Sequence, residues 1–272
     1  MPILNKDMTL CISLAARPSN IGTRFHNYLY DRLGLNFVYK AFAPVDLADA
    51  VRGIRGLGIR GAAVSMPYKE AVIPMLDRIS PSAEAIDSVN TIVNDDGVLT
   101  AYNTDYLAIE RLLLEHRIPV TSTVLLQGSG GMAKAVAAAL RNAGFGSVTI
   151  VARNSETGPA LAALYGFDWL PEVAEHHAQL LINVTPLGMQ GADESVLAFP
   201  LSAIEAAETV FDVVALPART PLVETAEALG KKVISGAEVI AIQAEEQFVL
   251  YTGVRPSAEL VREASEFSRA ES

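Results

Sequence analysis

The sequence predicts an α/β protein of two domains, each built on a β-sheet with helices against it. Its length of 272 residues is typical of two domains or one large one. In the first half, apolar segments rich in β-formers alternate with segments of helical periodicity, as in βαβ units. Near the middle, from Val124 to Leu140, a strand-like segment leads through a glycine cluster into a helical segment. These observations predict a parallel sheet with helices on both faces in the first half and a second α/β unit after it.

The elements of the first half follow from its apolar pattern. Strands are expected at 10–13, 36–42 and 61–65. Helices of amphipathic periodicity are expected between them, at about 22–33 and 46–57. A hairpin of residues 89–94 and 98–102 then closes this half, because Asp95-Asp96-Gly97 carries the Asp-Gly turn signal.

The second half begins with a helix from 105 to about 116. A strand over 124–127, a turn over 128–131 and a helix with one apolar face follow. Later strands are expected at 147–152, 180–184, 210–214 and 232–234. Later helices include 224–229, 238–250 and 257–267. No linker rich in proline or serine separates the halves, so the boundary near residue 104 rests on the order of the elements.

The glycine cluster predicts a binding site for a dinucleotide. Gly128-Ser129-Gly130-Gly131 lets a pyrophosphate approach the backbone, and the helix that begins near Met132 and Ala133 offers free N–H groups. An acidic residue at the end of the next strand would bind the ribose of NAD, but the chain has Arg153-Asn154 there. A guanidinium suits a 2′-phosphate, so NADP is the predicted cofactor. The alternative is a glycine turn with no phosphate.

Composition excludes several classes of protein. The net charge of -10 disfavours a nucleic-acid partner, which requires basic surfaces. The single cysteine, Cys11, lies in an apolar run and is predicted to be a buried thiol. The N-terminus lacks the pattern of a signal peptide, no apolar run is long enough for a membrane span, and no residue spacing indicates a metal site. A cytoplasmic enzyme is expected.

Three short segments of the first half place polar groups in apolar surroundings. They are Ser65 to Lys69, Asn90-Thr91, and Asn103-Thr104-Asp105. Ligands of α/β folds bind at the carboxyl ends of strands, so these groups predict a site for a polyhydroxylated acid. The alternative for Lys69 and Asp105 is that each is a solvated residue that opens a helix. His26 is predicted to pack within its helix and not to act as a base.

Together these segments resemble the shikimate dehydrogenase family. The resemblance covers nearly the whole chain in order. The matching segments are Ser65-Met-Pro-Tyr-Lys69, Val89-Asn-Thr91, Ala101-Tyr-Asn-Thr-Asp105, Gly128-Ser-Gly-Gly131, Ala152-Arg-Asn154, Asn183-Val-Thr-Pro-Leu-Gly-Met189, and Gly236 to Gln243.

The resemblance implies a substrate-binding catalytic domain over 1–104 and a Rossmann-type NADP domain over 105–240. It also implies C-terminal helices over 241–272 that pack on the first domain. The implied reaction is the NADP-dependent interconversion of shikimate and 3-dehydroshikimate, a step of the chorismate pathway to aromatic amino acids. The implied partner is a small cyclic hydroxy acid, and the implied assembly is a monomer or homodimer.

The resemblance also assigns residue roles. Lys69 is the implied acid–base, oriented by Asp105. The residues expected to bind substrate are Ser19, Asn20, Thr23, Ser65, Asn90 and Gln243. The residues expected to bind the cofactor are Gly128, Ser129, Gly130, Gly131, Met132, Ala133, Arg153, Asn154, Asn183, Thr185 and Gly236.

One segment departs from the family pattern. Members usually carry two serines in an H-S-x-S-P motif, which hold the substrate carboxylate. With His26 as the register, Asn20 and Gly22 occupy those positions, while Ser19 and Thr23 are hydroxyls displaced by one residue. The chain therefore resembles a divergent, dehydrogenase-like branch with reduced efficiency on shikimate.

Three alternatives to that reaction remain. One is a dehydrogenase of quinate or another cyclitol acid on the same scaffold. Another is a cofactor-bound sensor with little turnover. A methylene-tetrahydrofolate dehydrogenase is disfavoured by the Asn-Thr-Asp segment.

Overall fold

The computed structural model describes residues 4–270. The chain folds into two compact units: Met1–Thr104 with Ala241–Ser272 form the first, and Asp105–Ile240 the second. The C-terminal segment thus returns to the unit formed by the N-terminal half. That the first unit binds substrate and the second the cofactor stays a prediction.

The strands of both units are numbered in chain order. They are β1 (Thr9–Leu14), β2 (Phe37–Phe42), β3 (Gly61–Val64), β4 (Arg78–Ile79), β5 (Thr91–Asp95), β6 (Val98–Tyr102), β7 (Val124–Gln127), β8 (Val148–Val151), β9 (Asp168–Leu170), β10 (Leu180–Asn183), β11 (Thr209–Asp212) and β12 (Lys232–Ser235).

The helices are numbered in the same way, and a single 3₁₀ turn lies at Ile73–Met75 within the described range 4–270. The helices are α1 (Asn20–Arg32), α2 (Leu47–Gly56), α3 (Tyr68–Ala71), α4 (Pro81–Glu84), α5 (Thr104–Glu115), α6 (Gly131–Ala143), α7 (Thr157–Tyr165), α8 (Leu201–Ala206), α9 (Pro221–Ala228), α10 (Gly236–Thr252) and α11 (Ala258–Arg269).

The sheet of the first unit is mixed, with the order β2-β1-β3-β5-β6-β4. β1 is parallel to β2 and β3, whereas β5 is antiparallel to β3 and β6. Asp96 and Gly97 have φ values of 51° and 90°, the left-handed conformation that a tight hairpin turn requires. The predicted hairpin is therefore confirmed. The parallel arrangement predicted for the βαβ segment is confirmed for β1, β2 and β3, and the hairpin adds β5 and β6 antiparallel to each other.

Two hydrophobic clusters cover the two faces of this sheet. On one face, Ile12 and Leu14 of β1 pack with Val51 and Ile54 of α2. On the other face, the predicted buried thiol of Cys11 is confirmed, in a cluster formed mainly by α1, α10 and α11. Burial raises the pKa of that thiol to about 12, so it stays protonated. The second face, under α1 and α10, carries the polar groups discussed below.

The sheet of the second unit is parallel throughout, with the order β12-β11-β10-β7-β8-β9. Successive strands are added on one side of β7 up to β9, and the chain then crosses over to add β10 on the other side. This is the topology of a Rossmann-type sheet, and ligands of such sheets bind where the order reverses, at the carboxyl ends of the strands. Here that point lies between β7 and β10.

Several short elements were not predicted. They are α3, α4, α7, α8, β4, β9 and the 3₁₀ turn. Most have too few residues to show a helical or strand period, so the tertiary contacts decide their form. No helix within residues 4–270 is long and apolar enough to cross a membrane.

His26 lies in α1 among aromatic rings, as predicted. Its ring stacks on Tyr39 with 4.5 Å between the centroids and an interplanar angle of 12°. Burial lowers the pKa of His26 to about 3, against a smaller opposing effect of a hydrogen bond with Gln247. The imidazole is therefore neutral in the folded protein at neutral pH.

We expect His26 to make the protein less stable as the pH falls from 6.5 toward 3. In this range the unfolded chain binds a proton at His26, whose ordinary pKa is 6.5, and the folded chain does not. The contribution approaches about 1.4 kcal/mol per pH unit well below 6.5. Denaturant unfolding between pH 7 and pH 4 should show a shallower acid loss in His26→Phe than in the wild type. Equal slopes in the two proteins would contradict this prediction.

Candidate functional site

The turn between β7 and α6 requires glycine at its first position. Gly128 has a φ of 130°, and an added Cβ there would lie 2.7 Å from Cγ2 of Val184. By contrast, nothing lies within 4 Å of an added Cβ at Gly130 or Gly131. The backbone of the turn is thus open on the side where α6 begins. Such an arrangement gives room for a pyrophosphate next to the N–H groups of the helix start.

A cavity of about 1100 Å³ lies beside this turn, at the carboxyl ends of β7 and β8. Of the predicted cofactor residues, it is lined by Gly128, Ser129, Arg153, Asn154 and Thr185. The remaining predicted cofactor residues do not line it: Gly130, Gly131, Met132, Ala133, Asn183 and Gly236. Ala133 is fully buried in α6, so its side chain is not available to a ligand.

Arg153 and Asn154 follow β8 and have different structural roles. The guanidinium of Arg153 is exposed and, within residues 4–270, forms no ion pair. Oδ1 of Asn154 accepts hydrogen bonds from the backbone N–H groups of Glu156 and Thr157, each at 2.9 Å. Asn154 therefore caps α7 through its side chain. Arg153 is left as the cation that faces the cavity.

Asn183 does not line the cavity, and its side chain instead supports a residue that does. Its side chain is fully buried, and Nδ2 donates to Oδ1 of Asp212 at 3.0 Å and to the carbonyl of Leu187 at 3.2 Å. Its Oδ1 accepts from the backbone N–H and the hydroxyl of Thr185, at 3.0 and 2.6 Å. The side-chain groups of Asn183 are thus used internally, which holds the Thr185 loop against the cavity. Asp212, which sequence reasoning missed, completes this support.

Gly236 is needed where α10 begins. An added Cβ would lie 2.4 Å from the carbonyl carbon of Val214, a distance that no side chain tolerates. The adjacent Ser235 and Glu238 form a capping box, with the Ser235 N–H donating to Oε2 of Glu238 at 2.8 Å. Close packing therefore explains this glycine without a ligand.

In the first unit, Asn90 is the centre of a buried hydrogen-bond network. Its Oδ1 accepts from the hydroxyl of Thr91 at 2.9 Å and from the N–H and hydroxyl of Thr104 at 2.8 and 3.2 Å. Its Nδ2 is buried and has no hydrogen-bond partner. Asn90 lies just before β5, not inside a strand as predicted. The three donors fix its orientation, so that the two N–H donors of Nδ2 remain unused.

Two glutamines of α10 extend this network. Nε2 of Gln243, a predicted substrate residue, donates to the hydroxyl of Thr104 at 2.9 Å. Nε2 of Gln247 donates to the hydroxyl of Thr91 at 2.9 Å. Gln247 was missed by sequence reasoning, although its spacing of one helical turn from Gln243 places both on one face. Helix α10 thus supports the two hydrogen-bond partners of Asn90, Thr104 and Thr91.

Lys69 and Ser65 follow β3 directly. Ser65 is exposed at the strand end, and Lys69 lies half-buried in the short helix α3. The backbone carbonyl of Lys69 accepts from the N–H of Val89 at 3.0 Å, which ties α3 to the segment that carries Asn90. Asp105 is half-buried in the first turn of α5, which begins one residue earlier than predicted.

The residues expected to bind the substrate carboxylate lie at the start of a helix. Ser19 caps α1 without a side-chain hydrogen bond, and Asn20 is its exposed first residue. Thr23 lies within the first turn, and its buried hydroxyl has no hydrogen-bond partner. The helix forms because Asn20 to Arg32 has an apolar face that packs on the sheet.

Known proteins were found that are similar to this chain in sequence and in fold. The profile described as the shikimate dehydrogenase substrate binding domain matches residues 20–92. A shikimate dehydrogenase-like protein of Haemophilus influenzae is 56% identical over 268 residues, covering 98% of this chain and 99% of the relative.

Two solved structures share the architecture. One is the shikimate 5-dehydrogenase of Thermus thermophilus in complex with NADP(H) and shikimate. It is 32% identical with a TM-score of 0.85, and the match covers 96% of this chain and 100% of that one. The other is the quinate dehydrogenase of Corynebacterium glutamicum in complex with NAD. It is 27% identical with a TM-score of 0.84, and the match covers 96% and 98% of the two chains. The chain therefore belongs to the shikimate dehydrogenase family of oxidoreductases.

Proposed function

We propose that the protein is an NADP-dependent oxidoreductase that interconverts shikimate and 3-dehydroshikimate, with lower efficiency on shikimate than a typical relative. The observation that carries the proposal is the buried, unpartnered Nδ2 of Asn90. Leaving such a donor unpaired costs about 1–3 kcal/mol. A ring hydroxyl of a bound substrate recovers this free energy, because its oxygen accepts the hydrogen bond.

The cavity of the second unit fits NADP. The turn beside it is open at Gly130 and Gly131, where the pyrophosphate would lie, and the cavity presents Arg153 for the 2′-phosphate. Thr185, held by Asn183, also lines the cavity. When bound, NADP supplies the hydride acceptor for oxidation of an alcohol. The other requirements of the reaction fall to the side chains of this chain.

Lys69 takes the proton of the reacting hydroxyl in one direction and returns it in the other. Asp105 accepts a hydrogen bond from an adjacent hydroxyl and orients Lys69. Asn90 donates to another ring oxygen, and Gln243 closes the ring site from α10. General acid–base catalysis of this kind contributes about 10²–10⁴-fold to a rate.

The first turn of α1 is the proposed site for the substrate carboxylate. Free N–H groups of a helix start and the hydroxyls of Ser19 and Thr23 favour an anion there. The two usual serines are absent, since Asn20 and Gly22 stand in their positions. A carboxylate held less firmly misplaces the ring, and misplacement by about 1 Å lowers turnover as well as affinity.

We expect the variant with Asn20→Ser and Gly22→Ser together to have a clearly higher kcat/KM for shikimate than the wild type. Steady-state rates with shikimate and NADP measure this. The wild type should show measurable turnover that is lower than that of a typical shikimate dehydrogenase assayed beside it. A wild type as efficient as that enzyme would contradict the proposed reduced efficiency.

The same assay separates the alternatives. A dehydrogenase of quinate or another cyclitol acid would show a higher kcat/KM on that acid than on shikimate, and the similarity to a quinate dehydrogenase favours testing it. A cofactor-bound sensor would bind NADP without oxidising either acid. Lys69 argues against a sensor, because binding alone needs no proton-transfer group.

A further inference from the structure

Beside Gly22, the phenol of Tyr39 approaches the first turn of α1. A Cβ added at Gly22 would lie 3.6 Å from Oη of Tyr39, and the ring carbons would be the next nearest atoms. In the family pattern a serine stands in the position of Gly22. With glycine there, no side chain lies between the Tyr39 hydroxyl and the space that a serine would fill.

Tyr39 is held rigidly in this position. Its ring stacks on His26, and its backbone N–H and carbonyl both bond to the side-chain amide of Asn27, at 2.9 and 2.8 Å. The side chain is almost fully buried. Its hydroxyl is thus placed in advance, and little side-chain entropy is lost when a ligand binds.

The hydroxyl is also a neutral donor. Burial raises the pKa of the Tyr39 phenol above its ordinary value of 10.0, and a hydrogen bond with Ser13 offsets only part of this rise. The nearest titratable ring, His26, is neutral because burial lowers its pKa to about 3. Neither group carries a charge at neutral pH, so the Tyr39 hydroxyl would act as a neutral hydrogen-bond donor.

The position of Ser13 connects Tyr39 with the Asn90 network. Ser13 of β1 pairs with Ala63 of β3, and Ala63 pairs with Thr91 of β5. Paired residues of adjacent strands share a face of the sheet, so these three side chains form one row toward α1 and α10. Ala63 is the smallest of the three. The row therefore runs from Ser13, which hydrogen-bonds with Tyr39, to Thr91, which donates to Oδ1 of Asn90.

We propose that the hydroxyl of Tyr39, uncovered by glycine at position 22, donates a hydrogen bond to the carboxylate of the cyclic hydroxy acid and makes Tyr39 a specificity-determining residue. The inference rests on the proposed function, because it identifies how the same site retains an acid without the two serines. Asn90 holds a ring oxygen, and Tyr39 holds the acidic substituent.

The test is Tyr39→Phe, which removes one oxygen and keeps the ring that stacks on His26. We expect the KM for shikimate to rise about tenfold or more, the size of a lost hydrogen bond to a charged group. The KM for methyl shikimate, whose ester carbonyl accepts only a neutral hydrogen bond, should rise by a smaller factor than the KM for shikimate. The matched control is Tyr30→Phe, another buried tyrosine of the same cluster, which should leave both KM values unchanged.

Adding Gly22→Ser to the Tyr39→Phe variant provides a second, independent test. The contact of 3.6 Å with Tyr39 allows a serine at this position, and its hydroxyl should restore the KM for shikimate in Tyr39→Phe to within about threefold of the wild type. An unchanged KM in Tyr39→Phe, an equal loss on the methyl ester, or no recovery with Gly22→Ser would each overturn the inference.

Failure of the proposed function gives a different result. Calorimetric titration of shikimate and quinate into the NADP-loaded wild type and Tyr39→Phe measures binding without turnover. If the wild type binds an acid but does not oxidise it, the proposed function fails, and the inference stands only if Tyr39→Phe weakens that binding. If the wild type binds neither acid, both are overturned.

Discussion

Lys69→Ala is expected to lower turnover by about 10²–10⁴-fold, the range for loss of a general acid–base. The KM for the substrate should change much less, because the proton is transferred only in the chemical step. The contact that fixes α3 uses the backbone carbonyl of Lys69, which alanine retains. The substitution should therefore keep the contact that fixes α3.

Glu70→Ala is the matched control for this prediction. Glu70 is the exposed neighbour of Lys69 in the same short helix. Its variant should keep wild-type turnover and the same unfolding temperature as Lys69→Ala. Near wild-type turnover in Lys69→Ala would show that another group moves the proton.

Arg153→Asp is expected to weaken NADP binding by about ten- to 150-fold, as a charge-assisted contact worth about 1.5–3 kcal/mol is lost. The introduced carboxylate also repels the 2′-phosphate and can accept hydrogen bonds from the ribose of NAD. The affinity for NAD should therefore stay the same or rise. Fluorescence titration of both cofactors measures the change in preference.

Arg141→Asp makes the same change of charge in the last turn of α6, at the end remote from the glycine turn. This control should shift NADP and NAD binding equally and by little. If Arg153→Asp leaves the ratio of the two affinities unchanged, Arg153 does not bind the 2′-phosphate.

Most long elements were predicted from the sequence because their signals are local. The segment from Val124 to Leu140 shows a buried strand, a glycine turn and a helix face within a few residues of one another. Gly128 has the positive φ that such a turn needs. The hairpin at Asp96-Gly97 was predicted for the same reason, since its two residues determine the turn.

The roles within the cavity could not be assigned in this way. Asn154 and Asn183 belong to the motifs that resemble cofactor contacts, yet their side chains cap α7 and support the Thr185 loop. A sequence motif gives the residue types at a site but not which hydrogen-bond partners are nearest. Asp212 shows the same limit, because its partner Asn183 comes from another strand.

The sequence by itself determined the family, the strand–turn–helix unit of the cofactor domain, and the position of the missing serines. These features depend on residues that are close along the chain. Only the tertiary structure decided that Asn90 presents an unpaired donor and that Tyr39 lies beneath Gly22. Those contacts join segments far apart in sequence, and sheet pairing and helix packing set their distances.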